Sequence, residues 1–127
     1  MANNEVFTPK WYIEKLDKKF NSINGPILDN CCGGGVWLKY AQSKGYEVFG
    51  CDIIEKNCIS TIKNLYGEGD IEVISYQNVP DNFKDVGLIA MFKHNNKLIT
   101  NIVQADSLKY SMNFGQKKQP IQFGNEL

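Results

Sequence analysis

Residues 27–35 constrain this chain more than any other stretch. Ile27 and Leu28 run into Asp29, then through Asn30, Cys31 and Cys32 into Gly33, Gly34 and Gly35, and on to Val36, Trp37 and Leu38. That order is the pattern of a buried strand entering a tight loop and then a helix. Glycines remove Cβ atoms where a ligand must approach the backbone. The helix start beyond them offers unpaired N–H groups and the positive end of the helix dipole. A strand, glycine loop and helix in this order points to a nucleotide-like ligand. A glycine cluster alone is equally a plain loop, so other segments have to decide.

Two common phosphate-binding patterns do not fit. A dinucleotide site has G-x-G-x-x-G, and a P-loop ends in G-K-[ST]; the spacing is wrong for the first, and no lysine follows Gly35 directly. Residues 46–51 then read as a second strand ending at Asp52. An acid about 20 residues past a glycine loop is the usual ribose-binding position, where a carboxylate accepts the sugar hydroxyls. Asp52 also stands where a helix begins, and capping that helix is the plain alternative. Residues 101–105 read as a short buried strand leading into Asp106, Ser107 and Leu108; alone, that would be a turn with a solvated aspartate. Near the start, Thr8 is a good N-cap and Pro9 a good first helical residue. Ile13, Leu16 and Phe20 follow at helical spacing.

Taken in order, these segments resemble the class I methyltransferases that use S-adenosylmethionine (SAM). Asp29, Cys31, Gly33 and Gly35 match the pattern D-x-(G/C)-x-G-x-G of their first motif, in a form most similar to adenine-specific DNA methyltransferases of restriction-modification type. The resemblance implies that SAM is the cofactor. It implies that Asp29 holds the ammonium of SAM while the glycine loop touches the sugar and sulfonium arm. Asp52 takes the ribose, Ile53 packs on the adenine, and Asp106, followed by Ser107, accepts a hydrogen bond from the adenine amino group. Thr8 and Pro9 close over the methionine end. It also implies methyl transfer to DNA adenine. One motif departs from the family. Where (D/N/S)-P-P-(Y/F) is expected, the chain reads Asn125, Glu126 and Leu127. Asn125 alone is placed to play the polar catalytic part. The alternative is a SAM-binding module, partner subunit or SAM-sequestering protein without transfer activity.

Composition narrows the rest. With 127 residues, 43% of them hydrophobic and no long apolar run, a single domain over residues 1–127 that does not span a membrane is expected, and a cytoplasmic one, since no secretory signal is visible. The four cysteines form no C-x-x-C pair, and the one histidine, His94, is distant in sequence, so no metal site is expected. Charge balances at 14 positive and 14 negative groups, and every positive one is lysine. Lysine tracks phosphate, but the bidentate grip on guanine uses arginine. Any DNA contact therefore rests on the resemblance, and sequence reading would need a partner.

The expected order is helix 9–20, strand 27–29, helix 35–44, strand 47–51, helix 55–66, a hairpin inserted between 71 and 99, strand 102–105 and a last strand at 121–123. The resemblance turns this into an α/β, Rossmann-like class I methyltransferase fold, truncated, with a mostly parallel sheet, helices on both faces and an inserted β-hairpin. An uncovered last strand would favour a homodimer or a partner subunit.

Overall fold

The computed structural model describes residues 26–30 and 32–110, and the backbone of 121–122. The expected helix over 9–20, with Thr8 and Pro9, lies outside the described residues, as do Cys31 and Asn125.

In chain order the elements are β1 (Ile27–Asp29), α1 (Val36–Ser43), β2 (Val48–Asp52), α2 (Glu55–Tyr66), β3 (Ile71–Ser75), β4 (Leu88–His94), β5 (Lys97–Ala105) and β6 (Ile121–Gln122). The six strands form one sheet in the order β3-β4-β5-β2-β1-β6. β5, β2, β1 and β6 run parallel, whereas β3 with β4 and β4 with β5 are antiparallel. β1 is where the strand order turns round, with β2 on one side and β6 on the other.

The two described helices share one face. Trp37, Leu38 and Ala41 of α1 and Cys58, Ile62 and Leu65 of α2 pack with Ile27, Val48, Phe92, Ile99 and Ile102. Gly50 of β2 makes this approach possible, because a Cβ there would lie 2.6 Å from Leu38 Cδ1 and 3.2 Å from Cys32 Cβ. The opposite face buries Cys51, Ile74, Met91, Val103 and Ala105. Among the described residues its cover is Val79 and Phe83, from the short 3-10 turns at Tyr76–Asn78 and Asp81–Phe83, together with Tyr110.

The expected Rossmann-like class I methyltransferase fold is therefore corrected. The structure is a small α/β domain with a mixed sheet, and its described helices lie on one face. The physical reason lies in residues 71–105. The segment expected as an inserted hairpin is part of the sheet itself, since β5 is one strand pairing antiparallel with β4 through Leu98 and Ile99 and parallel with β2 through Ile102–Gln104. β5 keeps β4 on one edge as far as Ala105 while β2 pairs along the other, and register shifts between Leu88 and Ala90 and between Ala90 and Phe92 interrupt the β4 ladder. The turn between β4 and β5 is tight. Only Asn95 and Asn96 lie between β4 and β5, at φ 49° and 67°, the positive-φ pair of a two-residue hairpin. Asn95 Oδ1 accepts the Asp70 N–H at 3.0 Å, fixing β3 to the same turn.

Tyr110 gives a pH test of this packing. Burial, reinforced by the nearby Asp85 and then Cys51, pushes its phenol up to about 12. The neutral ring is the form the fold prefers, so its stabilising contribution is complete below pH 10 and falls away as pH rises towards 12. Spectrophotometric titration should show one tyrosine ionising late, and Tyr110→Phe should remove that late step. A titration unchanged by Tyr110→Phe would contradict the assignment.

Candidate functional site

Parallel pairing brings three of the expected acids to one edge. Asp29 ends β1, Asp52 ends β2, and Asp106 follows β5. Asp29 sits opposite Gly50, and Asp52 opposite Gln104. All three therefore stand at the carboxyl ends of neighbouring parallel strands, beside the strand where the order turns round. In open α/β sheets, ligands bind at such a place.

Asp52 is the hub. Its side chain is only 6% exposed. Oδ1 accepts the Ile54 N–H at 2.9 Å, which fixes the entry into α2. Oδ2 accepts the Gly33 N–H at 3.1 Å and the Asn57 amide at 3.2 Å. The N-cap of α2 is Ile54, without a side-chain cap bond, so Asp52 does not cap the helix; its carboxylate shapes the turn before it and ties the glycine loop to β2. A carboxylate offers about four acceptor positions, so about one remains for a ligand.

The glycine loop is seated on α2. Gly33 and Gly35 have φ of 54° and 85°, the left-handed region that side chains disfavour. A Cβ on Gly35 would lie 2.9 Å from Thr61 Cγ2 and 3.0 Å from Thr61 Cα, so the absent side chain makes room for helix α2. Thr61 donates to the Gly33 carbonyl at 3.0 Å, and Asn64 donates to the Gly34 carbonyl. Asn57, Thr61 and Asn64 recur every three or four residues on α2: Thr61 and Asn64 hold Gly33 and Gly34 directly, and Asn57 holds the Asp52 carboxylate that binds Gly33. In the sequence, Ile59, Ile62 and Leu65 at helical spacing mark the apolar face of this helix. The missed signal was the polar stripe beside that apolar face.

Below the loop lie buried free thiols. Cys58 Sγ lies 3.5 and 3.4 Å from the carbonyls of Asp52 and Val103, which share its one S–H donor. Cys32 is held well above the usual thiol range, first by its hydrogen bond with Cys58 and then by burial. Cys32 is therefore a packed, protonated group and a poor nucleophile.

Ile53 is 57% exposed directly after Asp52. Its carbonyl accepts the Gln104 amide at 3.0 Å, so β5 positions it too. Asp106 Oδ1 accepts the Leu108 N–H at 3.0 Å, which makes the local turn, and Ser107 is half-buried within it. Leu108 is 93% exposed beside them. A cavity of about 440 Å³ lies on the outer side of the loop, between Gly34, Val36, Ser60, Lys63, Asn64 and Glu68. None of the three acids lines it.

His94 is the last residue of β4, at the opposite end of the sheet and next to the Asn95 turn. Its Nε2 lies 2.9 Å from the Gly67 carbonyl at the end of α2. Trp37 is buried in the helix-side core. Among the described residues, no helix is long and apolar enough to cross a membrane, and no group of three His, Cys, Asp or Glu side chains is arranged to hold a metal ion. No family model matches the chain, and no curated protein or solved structure matches it either.

Proposed function

We propose that this chain is a SAM-binding, methyltransferase-like protein, related to DNA adenine methylation and working in the cytoplasm. The observation that carries this reading is the convergence of Asp29, Asp52 and Asp106 on one sheet edge, beside a glycine loop in left-handed conformation. Exposed Ile53 supports it, because an apolar surface next to the ribose acid suits the face of an adenine ring. On this reading Asp29 faces the ammonium of SAM, Asp106 the adenine amino group, and Asp52 one ribose hydroxyl. The expected grip on both hydroxyls does not fit the acceptor capacity that Gly33, Ile54 and Asn57 leave. Thr8, Pro9, Cys31 and Ser107 complete the proposed cofactor site on the resemblance alone.

A second reading is a binding module that holds SAM without transferring its methyl group, alone or as a partner subunit. Glu126 and Leu127, in place of the prolines of the base-binding motif, favour it. Equilibrium dialysis against SAM and NADH tests the cofactor, and tritiated methyl transfer to unmethylated DNA separates the readings. SAM should be retained and NADH should not. Transfer by the purified chain should be slow or absent, and any that occurs should vanish in Asn125→Ala. Retention of NADH without SAM would overturn the proposal, and robust transfer that survives Asn125→Ala would remove the role given to Asn125.

A further inference from the structure

We propose that the chain forms a twofold dimer by pairing the outer edge of β3 with β3 of a second copy. β3 is the last strand on its side of the sheet. Its hydrogen-bond phase follows from the hairpin. The Asn95 N–H donates to the Asp70 carbonyl at 2.9 Å, and the register then sets Glu72 opposite Lys93 and Ile74 opposite Met91. Along an antiparallel pair, residues alternately exchange both main-chain bonds with their partner and turn both groups away. Asp70, Glu72 and Ile74 therefore face β4, while the N–H and C=O groups of Ile71, Val73 and Ser75 face outward. Among the described residues, no hydrogen bond engages those outward groups.

Edges of this kind are normally blunted by proline, lysine or a bulge. β3 has none of these three; its one charge is Glu72, and Val73 at its centre is 38% exposed. The strand is self-complementary. With Val73 on the twofold axis, Val73 meets Val73 and each Ile71 meets a Ser75, so every outward residue faces an outward residue and exchanges both bonds. Sliding the copies by two residues in either direction loses one such pair. Sliding one way also sets Glu72 directly against Glu72, and like charges directly opposite are destabilising. In the Val73-centred register each Glu72 keeps its own Lys93 as neighbour and faces the second copy's Ile74. On that face a cavity of about 350 Å³, bordered by Ile74, Asn78, Pro80, Lys93 and Leu98, opens beside the edge. The observations favour a second copy over an unrelated peptide because one short sequence satisfies both sides.

Two variants of the full chain test this. Residues in a hydrogen-bonded antiparallel pair have Cα atoms about 5.5 Å apart, within the roughly 4.4–6.8 Å that a disulfide spans. Val73→Cys should therefore give a reducible dimer under mild oxidation at least tenfold faster than Val86→Cys, an exposed position off this edge. Sedimentation at tens of micromolar should give twice the chain mass for the unmodified protein. Val73→Lys should weaken that association at least tenfold with an unchanged circular dichroism spectrum. A monomeric protein would overturn the proposal. So would a dimer that Val73→Lys leaves intact, or equal cross-linking from the two cysteine positions.

Discussion

Gly35→Ala is expected to destabilise the fold by about 2–5 kcal/mol, the sum of a left-handed backbone penalty and an overpacking penalty. The residue holds φ at 85°, which a Cβ resists, and that Cβ would press on Thr61. One of the atoms met, Thr61 Cα at 3.0 Å, belongs to the helix backbone, so a rotamer change does not relieve the clash. Either α2 shifts or the loop leaves it, and both release the bonds from Thr61 and Asn64. Gly45→Ala isolates the first penalty, because Gly45 has φ of 92° but nothing within 4 Å of its added Cβ. Urea unfolding should place Gly45→Ala near 1–2 kcal/mol and Gly35→Ala well beyond it. Equal losses would mean that the loop is not seated on α2 as described.

Asp52→Ala is expected to cost about 3 kcal/mol or more in stability, since hydrogen bonds to a charged group contribute roughly 1.5–3 kcal/mol each and are not additive. Truncation strands the Gly33 and Ile54 N–H groups and the Asn57 amide beneath the loop. Asp52→Asn keeps an acceptor for Ile54 and should cost about half as much. The ligand effect is separate. Losing the proposed charge-assisted ribose contact should weaken SAM binding by about 1.5–3 kcal/mol, or roughly ten- to a hundredfold. Thermal melts with and without SAM distinguish the two losses. If Asp52→Ala melted like the unmodified chain, the carboxylate would not be the hub that its hydrogen bonds make it.

The local elements were legible where side-chain pattern and punctuation agreed. Gly45 and Gly67 close the two helices, and residues 46–51 carried enough apolar character to mark β2. The strand after Asn101 was legible too, but its continuity with Leu98 and Ile99 was not. The inward-facing phase changes across 99–102, so one bent strand reads as two segments. The direction of β3 and β4 was equally hidden, because a run such as Leu88–Phe92 fits a parallel or an antiparallel strand. Only pairing settles it, and pairing made the sheet mixed. At the site, the positions of Asp29, Asp52 and Asp106 followed from strand ends alone. What their side chains do did not. Asp52 looked like a ligand contact, yet most of its capacity is spent on Gly33, Ile54 and Asn57. The glycines looked like space for a ligand, yet Gly35 makes space for Thr61.

The central claim is that the carboxyl edge of β1, β2 and β5 binds SAM. Titration calorimetry of SAM into the unmodified chain and into Asp52→Asn, at a temperature where both are folded, tests it most directly. The account predicts saturable binding to the unmodified chain, weakened roughly ten- to a hundredfold by the substitution. Absence of SAM binding to the folded chain, or an affinity that Asp52→Asn leaves unchanged, would contradict it.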